Sequence, residues 1–191
     1  MAQFLNAFLI TMQYEGGYAN AKADSGGETI FGISRNNNPD WKGWALVDAY
    51  KAKNGLNGIV AAMTSDADFQ KMVQKLYTVN YWNINRCGDI YDQQLANVIF
   101  DTGVNMGTGR AARFLQQAFN DFAPGKTITV DGIIGDKTIA AVNQADPVSI
   151  YSNYQTLRKL KYGAIVAKNP SQHQFYSSWM SRLKPYNQIT N

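Results

Sequence analysis

Cysteine and histidine are almost missing from this chain of 191 residues: there is one of each, Cys87 and His173. A single cysteine closes no intrachain disulfide, and a single histidine builds no histidine-rich metal site. Disulfide-stapled scaffolds, zinc fingers and Cys/His hydrolases are therefore excluded. Long apolar runs are missing too, since none approaches the roughly 18 residues of a membrane span. Glutamate is the third scarcity: only Glu15 and Glu28 occur, although glutamate is a good former of exposed helix. Carboxylates, hydroxyls, amides and aromatics remain as agents of function.

What is present suits a folded body. Hydrophobic residues make up 45% and charged residues 17%, enough for a sizeable core and too apolar for disorder. Charge is unevenly spread. Residues 1–100 carry 8 Lys/Arg against 9 Asp/Glu, and residues 101–191 carry 10 against 5. A basic second half suits an anionic partner such as nucleic acid, a membrane surface or an acidic wall polymer, or is simply a solvated basic surface. At the N-terminus, Phe4, Leu5, Phe8, Leu9 and Met12 repeat at helical spacing. No Lys or Arg precedes them and no small-residue cleavage site follows, so they predict a structural helix rather than a signal peptide.

Helical periodicity dominates the rest. Ser65 or Asp66 is placed to cap a helix carrying Phe69, Met72, Val73, Leu76 and Tyr77 on one face. Leu95, Val98, Ile99 and Phe100 predict a buried helix, and Gly107-Thr-Gly109 leads into another bearing Ala111, Phe114, Leu115, Ala118 and Phe119. Asp136 is placed to cap a short helix through Ile139 and Val142. Pro147 suits the first turn of a longer one with Ile150, Tyr154, Leu157 and Leu160. A last helix would present Phe175, Trp179 and Leu183. Two stretches read differently. Gly16, Gly17, Gly26 and Gly27 precede Thr29-Ile-Phe-Gly-Ile33, a loop feeding a small β-hairpin, and residues 126–133 alternate before an Asp-Gly turn signal. The expected fold is mainly α with a small hairpin near the front.

Tyr14-Glu15-Gly16-Gly17-Tyr18 puts a rare glutamate at the end of the first helix, where Gly16 or Gly17 can stop it in a left-handed conformation. The helix dipole opposes negative charge there and so favours the protonated carboxyl a general acid needs. Asp24 follows nine residues later, a stretch of up to about 30 Å if extended, so the chain must reverse for the two carboxyls to meet. Facing carboxyls across a cleft are the minimal machinery of glycoside hydrolysis, and the hydroxyl of Thr29 can hold a water between them. Asp24 as a simple turn residue fits the spacing equally well.

Glu15-Gly-Gly-Tyr18 followed by Asp24-x-Gly-Gly-x-Thr-x-x-Gly-Ile33 resembles the entry motif of the glycoside hydrolase family 108 type of lysozyme-like proteins. The likeness continues through Tyr81-Trp82, Phe100-Asp-Thr-Gly-Val-Asn105, Gly109-Arg-Ala-Ala-x-Phe-Leu-Gln116 and Val130-Asp-Gly-Ile-Ile-Gly135 with Thr138. The resemblance implies a lysozyme-like helical fold with a small hairpin at the active site. Residues 1–105 would be the catalytic region, with 106–191 a peptidoglycan-binding-like region packed closely on it. It implies an N-acetylmuramidase cutting the β-1,4 bond after N-acetylmuramic acid, with Glu15 as general acid and Asp24 as base or electrostatic stabiliser. Thr29 departs by one position from the spacing of similar phage-type lysozymes. Tyr18, Tyr81 and Trp82 would stack on sugars unless they are core; Asp101 and Asn105 would line the cleft or form a buried polar network.

No cofactor, no metal, no nucleic acid and no stable membrane insertion are expected, with peptidoglycan glycan strands as partner and a monomeric state. The wall lies outside the cytoplasm, so release by a phage-type or other non-standard route is expected. Two further readings remain: a lytic transglycosylase working through Glu15 alone, and a non-catalytic wall-binding or secretion-assisting module. Inversion or retention depends on a carboxyl separation that sequence does not reveal.

Overall fold

Asp66 illustrates how local chemistry sets the elements. Its carboxylate accepts from the backbone N–H groups of Asp68 and Phe69 at 3.0 and 2.9 Å, capping the helix Ala67–Tyr77. The same device starts Gln93–Met106 from Asp92 and Pro147–Lys168 from Asp146, the latter with proline in its first turn. The computed structural model describes residues 1–20 and 27–187, and among these nine α-helices run with three short strands. The helices are α1 (Phe4–Met12), α2 (Gly43–Asn54), α3 (Ile59–Ser65), α4 (Ala67–Tyr77), α5 (Gln93–Met106), α6 (Thr108–Phe122), α7 (Asp136–Asn143), α8 (Pro147–Lys168) and α9 (Tyr176–Ser181). The strands β1 (Tyr18–Ala19), β2 (Thr29–Ile30) and β3 (Ile33–Ser34) form one antiparallel sheet in that order. The chain is mainly α with a small sheet near its front, as expected.

The residues divide into two compact units, Phe8–Asn80 and Met1–Ala7 with Tyr81–Asn191. In the first, α2, α3 and α4 pack on one another and the sheet supplies Ile30 and Ile33 to the interior. Phe69, Val73 and Tyr77 of α4 are buried, with Phe8 edge-on to Tyr77 at 5.7 Å. Met72 and Leu76, expected on the same core face, are only half-buried. The buried stripe is the narrow i, i+4, i+8 row, and its neighbours at i+3 and i+7 border solvent. In α1 the buried residues are Ala7, Phe8 and Thr11, while Leu5 and Leu9 are exposed, against the expected pattern.

In the second unit α6 packs along both α5 and α8. Trp82 is buried, with Phe4 and Phe100 edge-on at 5.7 and 5.9 Å. Cys87 is fully buried, and burial pushes its thiol far above its ordinary value. Leu160, expected on the inner face of α8, is exposed; the inner face is Ile150, Tyr151, Tyr154, Arg158 and Tyr162. Asp136 opens α7 without capping it: Gly135 holds the cap position, and the Asp136 carboxylate meets Arg86 at 2.6 Å. Residues 126–133 form no strand. Asn120 pairs with both backbone groups of Ile128, and Arg113 donates to the carbonyl of Val130. Gln116 accepts from Gly132 N–H and donates to Asp131 Oδ1 and the Ile133 carbonyl. One face of α6 thus satisfies polar groups of the segment that a partner strand would otherwise have served.

Candidate active site

Helix α1 ends three residues before Glu15. Its last turn is drawn in by i→i+3 bonds, Gln13 N–H to Ile10 and Tyr14 N–H to Thr11. Neither Gly16 nor Gly17 has positive φ, so the expected left-handed cap is replaced by this tightening. Gly17 is needed for space instead: a Cβ there would lie 2.9 Å from Val60 of α3. The Gly17 carbonyl accepts from Phe31 N–H at 2.8 Å, which ties the segment bearing Glu15 to the β2–β3 turn.

That turn is tight. Ile30 faces Ile33 across it, leaving Phe31 and Gly32 as its two central residues, with φ of 48° and 74°. Two positive values make a type I′ hairpin, a geometry that strains any side chain but glycine's. Phe31 is held there from three directions: its N–H by Gly17, its carbonyl by the Tyr77 hydroxyl at 2.9 Å, and its ring by Phe69 at 5.8 Å. Gly32 makes room for the site. A Cβ on it would lie 2.9 Å from Glu15 Oε2 and 2.5 Å from the Tyr77 hydroxyl.

Glu15 therefore rests against the turn at one side of a cleft of about 390 Å³. Tyr18, Thr29 and Ser34 line the same cleft. The register explains two of them: Thr29 pairs with Ser34, so both hydroxyls share one face, while Ile30 and Ile33 take the core face. Ser34 was not anticipated; its position opposite Thr29 is visible only once the register is known. Thr29 Oγ1 lies 3.3 Å from the Gly27 carbonyl and is half-buried.

The second glutamate has different surroundings. Glu28 accepts from the Tyr18 hydroxyl at 2.8 Å and from Lys51 at 2.6 Å, with Arg35 Nε 2.8 Å from its other oxygen. Burial opposes its charge, but Lys51, Tyr18 and Arg35 outweigh burial and hold the carboxyl below its usual range. Burial and the Glu28 carboxylate together raise the Tyr18 phenol. Arg35 also pairs with Asp48 and lies over the Trp44 ring at 4.2 Å. Glu28 is an anchor that fixes Tyr18 at the cleft wall. Among the described residues no group of three His, Cys, Asp or Glu side chains is placed to hold a metal ion.

Residues 8–107, more than half the chain, match the family model described as Glycosyl hydrolase 108. The chain belongs to the glycosyl hydrolase 108 family. Residues 110–184 of this family member match a second model, described as Predicted Peptidoglycan domain. A solved structure from Brucella abortus, that of SagA, is similar at a TM-score of 0.62 and 25% identity, covering 94% of this chain and 88% of that one. No curated protein matches the sequence. The two family matches support a glycoside hydrolase directed at peptidoglycan.

The other expected residues of this glycosyl hydrolase 108 chain are placed as follows. Glu15, Tyr18 and Thr29 come together in the cleft; Asp24 lies outside the described residues. Tyr81, Trp82, Asp101 and Asn105 belong to the second unit. Trp82 is core, and Tyr81 is half-buried. Asp101 is buried with Arg158 Nη2 at 2.5 Å from one oxygen and Arg182 Nη1 at 2.7 Å from the other. Asn105 accepts from the Tyr162 hydroxyl at 2.9 Å. Asp101 and Asn105 thus belong to a buried polar network linking α5 to α8 and to Arg182.

Proposed function

We propose that this protein is an N-acetylmuramidase that hydrolyses the β-1,4 bond between N-acetylmuramic acid and N-acetylglucosamine, with Glu15 as general acid. The observation that carries the reading is the lodging of Glu15: its carboxylate lies at the wall of a cleft, against a turn whose glycine leaves room for it. The other glutamate is committed to Lys51, Arg35 and Tyr18, which hold it in its charged form and suit it to an anchor's role rather than to proton donation.

In this reading Glu15 protonates the glycosidic oxygen as the bond to the anomeric carbon breaks, and positive charge develops on the ring. Asp24, nine residues on, either stabilises that charge or activates the attacking water. The Thr29 and Ser34 hydroxyls, on the cleft face of the sheet, hold water or sugar hydroxyls. Tyr18 offers a ring face to the glycan, its hydroxyl held by Glu28. The residues matching the second family model would retain the enzyme on the wall. The site of action is the wall, and the protein works as a monomer.

Glu15→Gln tests the assignment. Clearing of a purified peptidoglycan suspension should fall by a factor of about 10² to 10⁴ with little change in melting. Mass spectrometry of the wild-type digest should show reducing muramic acid ends; 1,6-anhydro ends would make the protein a transglycosylase. Full clearing by Glu15→Gln would defeat the assignment.

A further inference from the structure

The wall of the Glu15 cleft is tied by hydrogen bonds to that of a second, larger depression. The carbonyl of Ser34, a cleft residue, accepts from Asn38 N–H at 3.0 Å and from Asn38 Nδ2 at 3.1 Å, and Asn38 lines a groove of about 570 Å³. Such a volume is in the range that holds small ligands. The groove runs between the segment Asn37–Lys42 and the outer edge of α4 with its continuation to Asn80. Its apolar side is Trp41, Met72, Leu76 and Val79, the last three at i, i+4 and i+7, which explains why Met72 and Leu76 escape the core. Trp41 is fixed edge-on to Trp44 and Phe69 at 5.3 and 5.4 Å, so that wall is preformed.

The charges on the groove are unspent. Lys42 and Lys75 are both exposed, and neither takes part in an ion pair among the described residues. Asp40, the one carboxylate on the rim, is likewise unpaired among them. An uncharged glycan has no use for two ammonium groups beside an apolar floor. A polyphosphate would be repelled by Asp40 and would gain nothing from the floor.

We propose that this groove receives the peptide stem of a peptidoglycan strand whose glycan lies in the Glu15 cleft; the inference rests on the muramidase reading above. A stem leaves the lactyl group of muramic acid as a short chain of small apolar residues, free carboxylates and one diamino residue. Each part has a counterpart here. Methyl groups meet Leu76 and Val79, carboxylates meet Lys42 and Lys75, and the side-chain amine meets Asp40. The amides of Asn37 and Asn80 suit the peptide backbone. The bonds from Asn38 to the Ser34 carbonyl join the walls of the two depressions, so one strand can reach both.

Two measurements test this, and they separate failure of the groove from failure of the muramidase reading. In the first, Lys42→Glu/Lys75→Glu is compared with wild type on stem-bearing strands and on strands stripped of stems by an amidase. The ratio of kcat/KM on the two substrates should fall about tenfold or more, as expected for losing two charge-assisted contacts. The milder Lys42→Gln/Lys75→Gln pair should shift the ratio the same way. An unchanged ratio overturns the proposal. In the second, L-alanyl-γ-D-glutamyl-meso-diaminopimelate is titrated into Glu15→Gln protein while the Trp41 indole N–H resonance is followed. Saturable binding that the double lysine variant loses supports the groove even if no glycan is cut; absence of saturable binding overturns it.

Discussion

Replacing Gly32 by alanine tests the lodging of Glu15 most directly. With φ at 74°, any L side chain at this position costs about 1 kcal/mol in backbone strain. The methyl group also cannot be placed without movement, because it would lie 2.5 Å from the Tyr77 hydroxyl and 2.9 Å from Glu15 Oε2. If Tyr77 yields, a buried hydroxyl loses its bond to the Phe31 carbonyl, a further loss of about 1–3 kcal/mol. If Glu15 yields, its carboxylate leaves the turn, and a shift of about 1 Å in a reacting group costs roughly a hundredfold in rate. Gly58→Ala supplies the reference. Gly58 is left-handed too, with φ 69° and ψ 9°, but its nearest foreign atom is the tip of Tyr50 at 3.3 Å. Denaturant unfolding should place Gly58→Ala about 1 kcal/mol below wild type and Gly32→Ala about 2–4 kcal/mol below. Peptidoglycan clearing should collapse only in the latter. A Gly32→Ala protein as stable as Gly58→Ala and as active as wild type would show that the turn does not confine the carboxylate.

Asp101→Asn should destabilise the protein by about 3–5 kcal/mol in chemical denaturation, because the buried guanidinium groups of Arg158 and Arg182 would lose the carboxylate that sits between them. Glu28 has its folded carboxyl below the unfolded value, so its contribution is complete above the unfolded pKa and disappears as the pH falls through the folded one. Melting temperature measured from pH 6 to pH 3 should thus fall less steeply in Glu28→Gln than in wild type. Cys87 should resist a thiol reagent in native buffer and react once denaturant is added, since it is both buried and pushed far from thiolate formation.

Much of this architecture is local enough to read from residue order. The cap at Asp66, the proline opening α8 and the hairpin around Thr29–Ile33 rest on neighbours a few positions apart. Glu15 stood out because glutamate is so rare here, and it does line a cleft with Thr29. What escaped depended on distant partners. Asp101 is bound by residues 57 and 81 positions away, and no spacing rule links them. Asp136 had the composition of a cap but was within reach of Arg86. Phe-Gly is an unusual pair for a type I′ turn, and Phe31 accepts it only because Gly17, Tyr77 and Phe69 hold it. Alternation at 126–133 suggested pairing, whereas one helix face supplied the partners.

The first seven residues have a consequence for anyone dividing the gene. They are grouped with the distal part of the chain, where Phe4 meets Trp82 and Phe100, Ala2 N–H reaches the Ile90 carbonyl and Gln3 pairs with Gln93. A fragment cloned from Tyr81 onward would start life with a notch where a phenyl ring belongs. A deletion at the amino terminus would injure the portion of the molecule encoded last, so trimming there is surgery on the far end.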